Sequence, residues 1–241
     1  MIGELTRDRF LGGRVVADQP KLGFRAGHDT VLLAAAIPAQ AGEHVLELGS
    51  GAGIASLCLA TRVSGVFVQG IEIDAELVRL AYANAALNGM AERVSFKQAN
   101  VDAFSSPGSF DHVFFNPPFH PDSAHVSPNA SRDRAKRDVD GAIARWTKVA
   151  LEAVKPHGTV TAILRADRED QTLAEARNCA AVVFPLLPHA GETPKRIVIQ
   201  LTKGRAPSLV TAKGLVLHEA GGRNTEAAEA VLRHGAALTL A

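Results

Sequence analysis

Only two of the 241 residues are cysteine, Cys58 and Cys179, and they lie far apart in the chain. That excludes a disulfide-stapled scaffold and a thiolate metal site. Cys58 falls on the apolar face of an expected helix and reads as core. His28, His112, His120 and His125 show no metal-ligand spacing, so no metal is expected. No apolar run approaches the ~20 residues needed to span a bilayer. The N-terminus lacks the charged-then-apolar layout of an export signal. The expectation is a cytoplasmic protein with no membrane partner. Charge of either sign is also nearly absent in excess: the formal net charge is +1. This excludes a bulk polyanion binder, and any nucleic acid would have to be held by a local patch. No repeat, linker or second domain is visible. With 46% hydrophobic residues the chain reads as a single domain over 1–241 with one ample core, residues 1–40 forming an N-terminal flank or lid.

What is present is more telling. The apolar run Asp111-His112-Val113-Phe114-Phe115 reads as a buried strand and runs into Asn116-Pro117-Pro118-Phe119. Two consecutive prolines cannot donate backbone hydrogen bonds, so the strand must stop. Each also biases its predecessor toward extended geometry. The result is a stiff turn that holds the Asn116 side chain and the Asn116 and Pro117 carbonyls outward, with Phe119 as a flat apolar face. Acceptors beside a planar surface suit an amide or an aromatic amine and point to amine alkylation rather than hydrolysis. An ordinary strand-ending turn is the bland alternative.

Upstream, the strand Val45-Leu46-Glu47-Leu48 leads into Gly49-Ser50-Gly51-Ala52-Gly53, and an apolar helix follows over 54–63. Glycines let the backbone take positive φ and approach a ligand closely, and a helix N-terminus offers unpaired N–H groups. The spacing is Gly-x-Gly-x-Gly, not the Gly-x-Gly-x-x-Gly of dinucleotide sites. Glu47, two residues before the first glycine, would repel a pyrophosphate and attract an amino group or a sulfonium. S-adenosylmethionine is therefore favoured over NAD. A second strand, 66–71, ends in Glu72, whose carboxylate can accept both hydrogen bonds of a ribose diol. Ile73 can pack on an adenine face, and Asp74 reads as the cap of the next helix, 75–87. After a third strand, 94–98, Asn100 and Asp102 compete to meet the adenine amine, with Asn100 preferred on register.

Strands and helices alternate, implying an α/β fold whose sheet is mostly parallel, with helices on both faces. Residues 121–138 are polar and read as a mobile loop over the site. Expected next are a helix over 139–154, a strand over 158–164, a helix over 169–179, and an antiparallel strand pair at one edge, 181–187 and 196–202. A short strand over 215–218 and a last helix capped by Asn224 or Thr225 complete the chain. Asp29 or Thr30 reads as the N-cap of an early helix, 31–36. Basic residues gather as Arg132, Arg134, Lys136 and Arg137, and again at Lys195 and Arg196. Most such charges are solvated surface, but the first cluster follows directly on the proline turn, where phosphate contacts would orient an RNA loop.

The glycine turn, the acidic end of the second strand and Asn-Pro-Pro-Phe after the fourth, in that order, resemble class I S-adenosylmethionine methyltransferases of the Asn/Asp-Pro-Pro-Tyr/Phe type. More narrowly, the chain from Gly23-Phe24-Arg25-Ala26-Gly27-His28-Asp29 onward resembles bacterial tRNA adenine-N6 methyltransferases of the methyltransferase small domain group. The resemblance implies a Rossmann-like seven-stranded sheet with an antiparallel edge. It implies cofactor contacts at Asp29, Glu47, Gly49, Gly51, Gly53, Glu72, Ile73, Asn100, Val101 and Asn116, and catalytic positions at Asn116, Pro117, Pro118 and Phe119. Two departures stand out: the family carries aspartate where this chain has Asn100, and often tyrosine where it has Phe119. The expected activity is methylation of the N6 amine of adenine in RNA, tRNA foremost, by a monomer or weak homodimer. A protein glutamine or an rRNA guanine as target, or a non-catalytic binding module, are the alternatives.

Overall fold

The computed structural model describes residues 3–117 and 141–240. In chain order they form β1 (Leu5–Phe10), β2 (Val15–Pro20), α1 (His28–Ala36), β3 (His44–Leu48), α2 (Ile54–Arg62), β4 (Phe67–Glu72), α3 (Ala75–Leu87), β5 (Val94–Gln98) and β6 (Phe110–Phe115). Then follow α4 (Ala142–Ala153), β7 (Val154–Arg165), α5 (Glu169–Glu175), β8 (Cys179–Leu187), β9 (Arg196–Lys203), β10 (Ser208–Thr211), β11 (Leu215–Val216) and α6 (Glu226–Leu232).

The main sheet runs β10-β8-β9-β7-β6-β3-β4-β5, with β11 also on β8. Strands β5, β4, β3, β6 and β7 are mutually parallel. β9 is antiparallel to both of its neighbours, β7 and β8. The sheet has nine strands where seven are expected, and the antiparallel pairings of β9 lie toward the β8 end of the sheet. β10 and β11 extend the sheet to nine by pairing parallel to β8. Sequence reading had no place for β10 because all four of its residues are exposed, so it carries no alternation of buried and open positions.

Side-chain alternation explains the layering. Along β6, Phe114 joins the core beneath α1, α2 and α3, whereas Phe115 joins the core beneath α4. Both are fully buried, each contributing roughly 2–3 kcal/mol of apolar burial. Burial on two faces is why β6 reads as an unbroken apolar run. Asp74 caps α3, accepting from the N–H groups of Glu76 and Leu77. Thr225 caps α6 through Ala228 N–H. The cap expected from Asp29 or Thr30 is not made: the N-cap of α1 is Gly27, and Asp29 lies inside the first turn. α5 ends short of Cys179, which already opens β8. No helix among the described residues is long and apolar enough to cross a membrane.

The N-terminal flank contains an antiparallel hairpin, β1 with β2. Its exposed edge is closed by two asparagines one turn apart, Asn84 on α3 and Asn88 at the C-cap of that helix. Asn88 accepts from Val16 N–H and donates to Val16 O, at 3.0 and 2.7 Å. Asn84 accepts from Asp18 N–H at 2.8 Å and donates to Asp18 O at 3.0 Å. The Asn84 amide also donates to Ala52 O, inside the glycine turn, at 2.9 Å. Two amide side chains therefore stand in for a partner strand. Asn84→Ala would strand these backbone groups around a buried site. It should lower unfolding free energy by about 2–3 kcal/mol in denaturant titration and speed hydrogen exchange at the Asp18 amide.

Candidate active site

Strands β3 and β6 are neighbours in register, with Leu48 opposite Phe115. The chain leaves β3 into Gly49 and leaves β6 into Asn116, so the two turns emerge side by side. The strand order reverses at this pair, which is where open α/β sheets bind ligands.

The three glycines of the turn do different jobs. All have positive φ. A Cβ on Gly49 would meet the Trp146 ring at 2.6 Å, and one on Gly53 would meet the Phe96 ring at 2.6 Å. Trp146 of α4 and Phe96 of β5 press on the turn from opposite faces of the sheet. A Cβ on Gly51 would meet nothing within 4 Å. Of the three, Gly51 alone faces the open space a ligand requires, whereas Gly49 and Gly53 serve packing. The signal for this division was the Trp146 and Phe96 pair, whose reach sequence periodicity does not reveal.

Glu47 does not present an open carboxylate. It is 4% exposed and faces the start of α2, where one oxygen accepts from both the backbone N–H and the hydroxyl of Ser56. It fills the anion position of that helix N-terminus from within the core. Burial pushes its carboxyl up to about 8, outweighing the two Ser56 hydrogen bonds, and nearby Glu72 adds to the rise.

Glu72 ends β4 with Oε2 accepting from Gly51 N–H at 2.9 Å and Oε1 from Asp74 N–H at 3.0 Å. Each oxygen keeps a lone pair, which suits the two hydroxyls of a ribose. Burial raises its pKa despite these backbone hydrogen bonds. Ile73 beside it is 62% exposed, an apolar face at the right place for adenine. Asn100 is exposed and caps a short turn, accepting from Asp102 N–H at 3.0 Å. Asp102 pairs instead with Arg145, at 3.4 Å. Val101 is buried at 6% exposure. An open Gly51, a diol-matched acid and an exposed apolar neighbour fit an adenosyl group.

On the β6 side, Asn116 is half-buried and Pro117 buried. Among the described residues, Asn116 Oδ1 is buried without a hydrogen-bond partner. Such an orphan acceptor costs roughly 1–3 kcal/mol, a cost that a donor on a bound ligand would remove. Asn116 lines a cavity of about 280 Å³ together with Phe24, Asp29, Thr30 and Arg196. Thr30 Oγ1 is also buried and has no partner among the described residues. Asp29 accepts from Arg196 Nε at 2.9 Å, so Arg196 is a wall of the cavity joined to the acid, while Lys195 is exposed. Gly51 is not part of this lining; it lies one strand over. Pro118, Phe119, His120, His125 and the basic residues Arg132, Arg134, Lys136 and Arg137, with the loop expected over 121–138, lie outside the described residues. Among the described residues no group of His, Cys, Asp or Glu could hold a metal ion.

Residues 25–133 match the family model described as the methyltransferase small domain. The tRNA1(Val) (adenine(37)-N6)-methyltransferase of Bacteroides thetaiotaomicron is 28% identical over 186 residues, covering 76% of this chain and 78% of that protein. The protein of the same name from Porphyromonas gingivalis is 31% identical over 209 residues, covering 79% of each. The crystal structure of a predicted O-methyltransferase from Agrobacterium tumefaciens shares the fold, with a TM-score of 0.74 at 22% identity. That match covers 88% of this chain and 98% of the other. Fold and site together define an S-adenosylmethionine-dependent methyltransferase of class I. Within that class, the chain belongs to the family of these relatives, and its residues 25–133 match the methyltransferase small domain.

Two measurements test the turn. Gly51→Ala should cost only roughly 1–2 kcal/mol of backbone strain yet weaken S-adenosylmethionine binding at least tenfold by calorimetry, whereas Gly49→Ala should act mainly on stability, through Trp146. For Glu47 the sign is set by a folded value above the unfolded one. The folded state then holds the extra proton between the ordinary glutamate range and about pH 8, so stability is greatest below that window and falls as pH rises through it. Glu47→Gln should remove this slope and gain on the parent by on the order of a few kcal/mol across the window, read from denaturant titrations at a series of pH values.

Proposed function

We propose that this methyltransferase acts on the exocyclic N6 amine of an adenine in RNA, with tRNA as the substrate. The observation that carries the reading is the buried Asn116 Oδ1, without a partner among the described residues, at the end of the strand paired with the one that feeds the glycine turn. The names of the relatives, which specify an adenine N6 amine in a tRNA, support the same substrate.

The nitrogen of an aromatic amine is a poor nucleophile because its lone pair is delocalised into the ring. Asn116 Oδ1 accepts one of its hydrogens and the Pro117 carbonyl accepts the other. Held this way, the nitrogen is drawn toward tetrahedral geometry and its lone pair is freed. The proline fixes these acceptors, so little ordering is left for the moment of reaction. Gly51, Glu72 and Ile73 hold the nucleoside end of the cofactor, with Asn100 and Val101 at the adenine edge. When bound, S-adenosylmethionine supplies an electrophilic methyl group on a sulfonium. No general base is needed on the chain, since the proton leaves after alkylation. Asp29 is fixed by Arg196 and shapes the wall between the cofactor and the amine. Lys195 supplies a phosphate contact at the rim. One chain, with residues 1–40 as a flank of a single domain, carries all of these groups, and a cytoplasmic monomer or weak homodimer suffices.

The test is incubation with labelled S-adenosylmethionine and an unmodified tRNA1(Val) transcript, followed by nucleoside analysis. N6-methyladenosine is expected. Asn116→Ala should abolish turnover while calorimetric binding of S-adenosylmethionine survives; label in a protein glutamine or a guanine instead would refute the adenine assignment.

A further inference from the structure

Phe24 lines the same cavity as Asn116, yet it is 62% exposed. Isolated exposed apolar residues are ordinary on protein surfaces. This one differs in how firmly its segment is held. The next residue, Arg25, donates to Thr6 Oγ1 at 2.7 Å and to Asp8 Oδ2 at 2.6 Å, both on β1. Ala26 N–H donates to Gln19 Oε1 at 2.8 Å. Gln19 is itself buried and donates to the same Asp8 oxygen at 2.8 Å. The hairpin that anchors these residues is tied through Asn84 to the glycine turn. A chain of hydrogen bonds thus runs from the glycine turn to Arg25 and Ala26, the two residues that follow Phe24, and an aromatic ring stands at the mouth of the cavity beside that brace.

Resting on the adenine reading above, we propose that Phe24 is a base-stacking platform for the nucleotide adjacent to the target. The target amine must reach the buried Asn116 oxygen, so its base occupies the interior of the cavity. The Phe24 ring, at the exposed rim, meets the next base along the strand. A base taken out of a helical stack leaves its neighbour with one uncovered face, and an aromatic side chain covers such a face whatever the base identity. The brace keeps the entropic cost of that contact low.

Stacking of one base is worth roughly fivefold to a hundredfold in RNA affinity. Phe24→Leu keeps an apolar side chain but no π-face, and Phe24→Tyr keeps both. With an anticodon stem–loop as substrate, Phe24→Leu should raise KM by that factor with kcat little changed, and Phe24→Tyr should restore it. S-adenosylmethionine affinity and melting temperature should match the parent in both. An RNA made abasic at a neighbour of the target should lose the same factor on the parent enzyme and lose nothing further on Phe24→Leu. In a Phe24→Trp variant, intact RNA should quench the new indole fluorescence and the abasic RNA should not. Parent-like kinetics in Phe24→Leu, or an equal loss of cofactor binding, would overturn the proposal. If the parent enzyme methylates no RNA adenine, the substrate reading fails first and the stacking role with it, an outcome distinct from an active parent indifferent to Phe24.

Discussion

The pairing of Leu48 with Phe115 is the constraint on which the site depends. Parallel strands in register deliver their C-terminal exits at one level, about 4.8 Å apart in the pairing direction. One exit is the glycine turn and the other is Asn116 followed by Pro117. Neither turn alone defines a transfer reaction. In the function proposed above, their places on adjacent strands set a methyl donor and an acceptor amine within reach of each other.

Rigidity at that exit is built from both faces of the sheet. Trp146 and Phe96 close on Gly49 and Gly53, and Glu72 ties Gly51 to β4. The buried Glu47 pins the first turn of α2. The same device recurs on the flank, where Asn84 joins β2 to the glycine turn. Polar groups buried here are mostly satisfied. Among the described residues eight buried side-chain atoms lack a hydrogen-bond partner; three of them, Asn116 Oδ1, Thr30 Oγ1 and Ser50 Oγ, lie around the two turns, and the other five lie elsewhere in the fold.

Much of this was legible in the residues. Local signals with a strong physical cause survived: the double proline that ends β6, the apolar run of a strand buried on two faces, Asp74 as a cap, and the alternation of strands and helices. What escaped depended on partners distant in sequence. The hairpin β1–β2 was hidden because Asn84 and Asn88, more than sixty residues away, close its edge. Asp29 reads locally as a cap, yet it is turned toward Arg196 on β9, an interaction no helix-start rule contains. Glu47 reads as an open acid because its cover, Ser56, lies on the next helix.

The glycines make the same point in a sharper form. A Gly-x-Gly-x-Gly run invites one explanation for all three positions, close approach to a ligand. Built into the fold, two of them are small because aromatic rings press on them, and only the middle one faces open space. A substitution at Gly49 or Gly53 therefore reports on the packing of α4 or β5, and a loss of activity there says nothing direct about the cofactor. Gly51 is different: its N–H is held by Glu72 and its Cα faces the cleft, so a change there alters the shape of the cofactor site while the core beneath stays packed. The motif is a unit in sequence but not in mechanism, and the separation of its roles follows from which side of the sheet each residue meets.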